Sequence, residues 1–164
     1  MSRVQLALNV NDIDEAVAFY TKMFGTEPAK RRPGYANFAI SEPPLKLVLL
    51  ENPGQGGSLN HLGVEVPDID IDTVDAMQTR LAEAGLASTD ERATTCCYAK
   101  QDKFWVQGAP NGESWEVYTV LADSETFYGG DAAAEAPWGS APAEPCCGSP
   151  AGSAGATASS GLCC

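Results

Sequence analysis

Residues 4–25, VQLALNVNDIDEAVAFYTKMFG, decide the fold because their plan is written twice; residues 60–85, NHLGVEVPDIDIDTVDAMQTRLAEAG, repeat it. Each copy opens with an alternating stretch, passes through an Asp-Ile-Asp turn, continues as a helical pattern and stops at a glycine. In the first copy Val4, Leu6, Leu8 and Val10 alternate with Gln5, Ala7 and Asn9, the two-residue period of a strand. Asp12 or Asp14 can cap the helix that follows, which carries Ala16, Val17, Phe19, Tyr20 and Phe24 and ends at Gly25. In the second copy Leu62, Val64 and Val66 lead to a helix bearing Val74, Met77, Leu81 and Ala84, closed by Gly85.

Three strands are expected after each helix. They fall near residues 27–31, 36–40 and 46–51 in the first copy, and near 87–91, 103–106 and 114–121 in the second. The order is βαβββ, twice, with modules at about 1–52 and 58–121. The predicted class is α+β: two modules that pair their sheets into a half-barrel cleft, with equivalent strands on opposite walls.

Composition changes near residue 125. From Gly129 to Cys164, 26 of 36 residues are Gly, Ala, Pro or Ser. Such a segment buries too little apolar surface to offset its ordering entropy, so residues 125–164 read as a flexible tail beyond a 1–124 domain. The formal net charge is −12, from 22 acids against 10 bases. That surface repels nucleic acid and anionic lipid, so neither is expected as a partner. No run of about 18 apolar residues could cross a membrane, and MSRVQLALNVND has no secretory pattern. The reading is cytoplasmic, where thiols stay reduced.

The six cysteines come as three adjacent pairs: Cys96-Cys97, Cys146-Cys147 and Cys163-Cys164. A disulfide between neighbours closes a strained ring across a planar peptide, so these pairs are poor staples. As thiolates they can share one soft centre. The pair at 96–97 sits in RATTCCYAKQD, residues 92–102, expected as a polar, movable segment between strands. The tail pairs suit capture of the same soft species and its transfer along the tether.

The chain has a single histidine, His61, at the opening of the second module's first strand. Gln5 holds the matching place in the first module, and both face away from Leu6 and Leu62. Glu116 interrupts the otherwise apolar strand SWEVYTVL, where an acid is costly to bury unless paired or bound to a metal. The two-module plan makes Gln5, His61 and Glu116 converge in the cleft.

These stretches, with APNGESWEVY, resemble the vicinal oxygen chelate superfamily: glyoxalases, extradiol dioxygenases, and bleomycin- and fosfomycin-resistance proteins. Within it, LNHLGVEV, TTCCYAKQDKFWV and WEVY resemble the C–As lyases and their cadmium-inducible relatives. The resemblance implies that Gln5, His61 and Glu116 are metal ligands, a variant of the two-His-one-carboxylate triad that suits Fe(II). It implies that Cys96 and Cys97 bind a trivalent organoarsenical such as methylarsonous acid. It further implies that Fe(II), with O2 as co-substrate, supports cleavage of the carbon–arsenic bond to arsenite and an oxidised carbon product. Two modules in one chain complete a site alone, so a monomer suffices, and a homodimer is equally compatible.

Three rivals follow from the same fold. A ring-cleaving dioxygenase would want a second His ligand and an acid–base His. A glyoxalase-like isomerase would want a carboxylate within LKLVLLEN, which offers Glu51 only at its end. A protein that sequesters Cd(II) or As(III) would need the cysteines but not Gln5, His61 or Glu116.

Overall fold

The computed structural model describes residues 2–128. The elements run β1 (Arg3–Val10), α1 (Ile13–Phe24), β2 (Lys30–Arg32), β3 (Tyr35–Ile40), β4 (Leu45–Glu51), β5 (Leu59–Val66), α2 (Ile71–Glu83), β6 (Ser88–Cys96), β7 (Ala99–Val106) and β8 (Trp115–Asp123). The repeat in the sequence is thus a repeat in the α+β structure. One eight-stranded sheet, ordered β2-β3-β4-β1-β5-β8-β7-β6, curls into a half-barrel. β1 and β5 meet antiparallel at its centre, and each module returns its last strand parallel to its first, β4 on β1 and β8 on β5.

Strand alternation sorts the side chains. Leu6, Leu8 and Val10 turn toward α1 and join Ile13, Val17, Phe38, Leu47 and Leu49 in one core. Val64 and Val66 join Val74, Phe104 and Val117 beneath α2. The opposite face of β1 carries Gln5, Ala7 and Asn9, all buried. The helices therefore cover the apolar convex face, and the concave face carries polar side chains beside a smaller cluster of Ala7, Tyr35 and Val48.

The turns behave as their residues dictate. Asp12, rather than Asp14, caps α1, accepting from the backbone N–H of Asp14 at 2.8 Å and Glu15 at 2.9 Å. Gly25 ends α1 in the left-handed region at φ 63°. Asp70 caps α2 through the Thr73 N–H at 2.9 Å.

Two expectations need correction. β2 starts at Lys30 rather than Glu27, since Pro28 has no N–H to give a ladder. The segment 92–102 is not a loop between strands: β6 and β7 extend through it as a hairpin, with Cys96 paired to Ala99. Only Cys97 and Tyr98 form the turn, at φ 57° and 60°. Both are left-handed, as a two-residue type I′ turn requires, but neither is the Gly or Asn that would signal such a turn.

Within the stretch assigned to the tail, Phe127 packs on Tyr35 and Tyr98, with ring centroids 6.1 and 5.4 Å away. Tyr128 bridges to Cys96. Cys146, Cys147, Cys163 and Cys164 lie outside the described residues. No helix among the described residues is long and apolar enough to cross a membrane.

Removing the α1 cap by Asp12→Ala should cost about 1 kcal/mol. Urea denaturation should show this as a lower midpoint with an unchanged slope.

Candidate metal centre and thiol pair

Four central strands bring one polar cluster together. β1 supplies Gln5, β5 supplies His61 and β8 supplies Glu116. Each is at most 4% exposed. The Gln5 side-chain nitrogen lies 2.8 Å from His61 Nε2 and donates to Glu116 Oε1 at 2.7 Å. His61 Nε2 is 3.3 Å from the same carboxylate oxygen. The three side chains converge although 111 residues separate the first from the last.

β7 contributes one more charged residue to the cluster. Lys103 is 1% exposed, with its ammonium 3.2 Å from Glu116 Oε2 and 3.4 Å from Glu91. It also lies 4.7 Å above the Trp105 ring. Burial alone would push the Glu116 carboxyl up. The Lys103 charge, followed by the hydrogen bond and charge of His61, overturns that and holds it at about 2. Burial would likewise lower the Lys103 ammonium, but Glu116 first and then the other neighbouring acidic groups raise it. Both groups are therefore ionised at neutral pH. Lys103 occupies Oε2 and leaves Oε1 facing Gln5 and His61.

The cluster fits a divalent metal. Three donors about 2.1 Å from one centre, at right angles, lie about 3 Å apart. The tips here are 2.7–3.3 Å apart. His61 Nδ1 is 2.7 Å from Asn60 Oδ1, so with the ring proton on Nδ1 the nitrogen that would ligate is Nε2. Gln5 turns its nitrogen toward the other two tips, and its oxygen accepts from the Tyr118 hydroxyl. Half a turn of the amide presents the oxygen to a metal instead. The Tyr118 oxygen then accepts from the amide nitrogen, since a phenol can serve either role. Burial, aided by the nearby acidic groups, raises the Tyr118 phenol well above its usual range, so it stays protonated.

Gly63 makes room for this cluster, and sequence reading passed over it. A Cβ there would stand 3.1 Å from Glu116 Cγ and 3.2 Å from Gln5 Cβ. Its sequence signal is a glycine inside an alternating strand, which marks a close approach.

The thiols sit at the tip of the β6–β7 hairpin. Neighbours in a regular strand point to opposite faces. The left-handed turn at Cys97 breaks that rule and brings its sulfur 3.1 Å from that of Cys96. Hydrogen bonding from Cys97 lowers the Cys96 thiol, burial opposes this and Lys103 assists it. The same bond, together with burial, pushes Cys97 well above the usual thiol range. The pair gives up its first proton from Cys96 and shares the second.

A cavity of about 310 Å³ joins the two groups. Cys97, Gln5 and Glu116 line it, as do Arg3, Lys46 and Gln101. Its wall is mixed: Glu65 accepts from Arg3 and from Lys46, the latter at 2.8 Å, while Tyr35, Val48 and Val120 add apolar surface. Of the aromatic residues near the site, Phe104 belongs to the core under α2. Trp105 stands edge-on to the His61 ring at 5.6 Å. Tyr98 packs against Tyr35 and Phe127.

A half-barrel of two βαβββ modules with a buried His, carboxylate and amide cluster between them is an arrangement that can hold a metal, and it defines the class of protein. The chain belongs to the Glyoxalase/Bleomycin resistance protein/Dioxygenase superfamily, whose family pattern it matches over residues 3–117. It is 68% identical over 130 residues to the cadmium-induced protein CadI of Mycobacterium tuberculosis, covering 79% of this chain and 84% of that one. It is 59% identical over 128 residues to a trivalent organoarsenical cleaving enzyme of Thermomonospora curvata, covering 77% and 83%. A Mn(II)-bound glyoxalase from Novosphingobium aromaticivorans shares the fold, with a TM-score of 0.53 at 22% identity over 76% of this chain and 42% of that one.

Glu116→Gln should destabilise the protein by about 3 kcal/mol in thermal or denaturant unfolding, because it removes the buried carboxylate beside Lys103 and leaves the half-buried Glu91, 3.4 Å away, as its counter-charge. Adding Lys103→Met should recover most of the loss. Gly63→Ala should weaken divalent-metal binding about tenfold in a Co(II) titration while leaving the far-UV spectrum unchanged.

Proposed function

We propose that this protein cleaves the carbon–arsenic bond of trivalent organoarsenicals in an Fe(II)- and O2-dependent reaction. The observation that carries this reading is one cavity lined both by a thiol of an adjacent cysteine pair and by two members of a three-donor metal cluster. The 59% identical relative named for organoarsenical cleavage supports it.

Cys96 and Cys97 act first. Trivalent arsenic is soft and prefers thiolate sulfur. Methylarsonous acid loses its two hydroxyl groups as water, taking the two thiol protons, and remains as a dithiolate between sulfurs already 3.1 Å apart. The organic group then faces the cavity beside Gln5 and Glu116. Gln5 (after its amide turns), His61 and Glu116 hold the metal, and Lys103 keeps the carboxylate ionised. When bound, Fe(II) supplies the one-electron chemistry by which O2 oxidises the organic group. The balance closes without an added reductant: CH3As(OH)2 + O2 gives As(OH)3 + HCHO. Water returns the arsenite from the thiolates. The cavity is far larger than a methyl group needs, which supports aromatic arsenicals as further substrates.

One other reading has an observation behind it. The 68% identical relative is named for cadmium induction, and a thiol pair alone can sequester Cd(II) or As(III). The two readings separate in one experiment. The protein is loaded with Fe(II) without oxygen, then given methylarsonous acid and air, while arsenite, formaldehyde and O2 uptake are followed together. Arsenite and formaldehyde should appear one for one with O2, and both should vanish without iron. Tight arsenical binding with no arsenite released would instead make the protein a thiol sequestering protein.

A further inference from the structure

We propose that Asn60 is a positioning residue that sets the tautomer of His61, and that Asn9 and Ser58 hold Asn60 to that task. The proposal rests on the reading of His61 as a metal ligand, for which the ring proton must sit on Nδ1 rather than Nε2.

Four hydrogen bonds run in one line from the loop between the modules to the imidazole. The Ser58 hydroxyl donates to the Gln55 carbonyl at 2.7 Å. Its oxygen accepts from the Asn9 side-chain nitrogen at 2.9 Å. The Asn9 side-chain oxygen accepts from the Asn60 side-chain nitrogen at 2.8 Å. The Asn60 oxygen then faces His61 Nδ1 at 2.7 Å.

The direction of this line is not free. Each amide has a donor end and an acceptor end, so turning one requires turning the next. A full reversal would make Ser58 donate to Asn9 and abandon Gln55. A backbone carbonyl only accepts, so the Ser58 hydroxyl bond to Gln55, added to the one that carbonyl takes from the Ser58 N–H at 3.1 Å, favours the direction shown. In that direction the Asn60 oxygen accepts from His61, and Nδ1 carries the proton. At the other end Nε2 lies 2.8 Å from the Gln5 amide nitrogen, a donor, and 3.3 Å from Glu116 Oε1, an acceptor, so Asn60 is the group that selects between the tautomers.

Strand geometry explains how Asn60 can serve its own neighbour. Adjacent side chains in a regular strand point apart. The β1–β5 register shifts here, with Ala7 opposite His61 but Leu8 opposite Leu59. Asn60 is therefore the extra residue of a bulge, a device that re-aims side chains. The anchor is firm as well. The Asn9 N–H donates to the Ser58 carbonyl at 3.0 Å, and the Gly57 N–H donates to the Asn9 carbonyl at 2.9 Å.

The single histidine makes the test direct. Full-length, metal-free, 15N-labelled protein is examined by long-range 1H–15N correlation at a pH where the imidazole is neutral. The wild-type ring should be protonated at Nδ1. Asn60→Ala should shift it toward the Nε2–H form that free histidine favours, and Ser58→Ala should do so in part. Asn60→Asp keeps an acceptor at Nδ1 and should keep the wild-type tautomer, which controls for misfolding. Co(II) affinity, read by visible absorption, should fall about 10–100-fold in Asn60→Ala and recover in Asn60→Asp. A wild-type ring protonated at Nε2, or an Asn60→Ala ring unchanged from wild type, would overturn the proposal. If the tautomer responds as expected but wild-type protein binds no metal, Asn60's control of the ring stands and the metal-centre reading is the one that fails.

Discussion

The buried ion pair between Lys103 and Glu116 is the constraint around which the concave face is arranged. Two charges taken out of water are costly, and their attraction offsets that only with good geometry and further hydrogen bonds. This pair has both. One carboxylate oxygen meets the ammonium, the other meets Gln5 and His61, and the ammonium also reaches Glu91 and the face of Trp105. The carboxylate is thereby kept ionised inside the protein, which is the state a divalent cation needs. The same ammonium favours loss of the Cys96 proton. One buried cation thus prepares the candidate metal site and the candidate arsenic site.

The sheet makes that arrangement possible by dividing its labour between faces. Both helices lie on the convex side, where Leu6 and Leu8 of β1, Leu47 and Leu49 of β4, Val64 and Val66 of β5 and Val117 of β8 pack. The concave side is then free to carry Gln5, Asn9, Lys46, His61, Gln101, Lys103 and Glu116, all buried. Each module alone would offer half of such a wall. The antiparallel meeting of β1 and β5 places the two halves side by side, and Gly63, opposite Gln5, lets the side chains of both modules cross over it.

The hairpin that carries the thiols stores strain where it is useful. Two consecutive non-glycine residues in the left-handed region cost of order 1–3 kcal/mol each. In return Cys96 and Cys97 stand side by side rather than on opposite faces. Packing of Tyr98 against Tyr35 and Phe127 helps hold the turn in that form. A pair fixed in this way presents both sulfurs together without first ordering a loop.

The sequence by itself determined the two modules, a cap for the first helix at Asp12 or Asp14, and the candidate donors. These depend on period, on capping chemistry and on residues costly to bury, all of which are local. The lone histidine and the acid in an apolar strand were legible for that reason. Tertiary structure alone decided that Lys103 faces Glu116, that Gly63 is a gap the cluster fills, and that Asn60 turns back on its neighbour. It also decided that residues 92–102 form strands, since CYAK carries no turn signal and the left-handed turn is imposed by pairing on both sides. Such features depend on register between distant strands, and a one-residue shift in register would reverse them without altering any local preference.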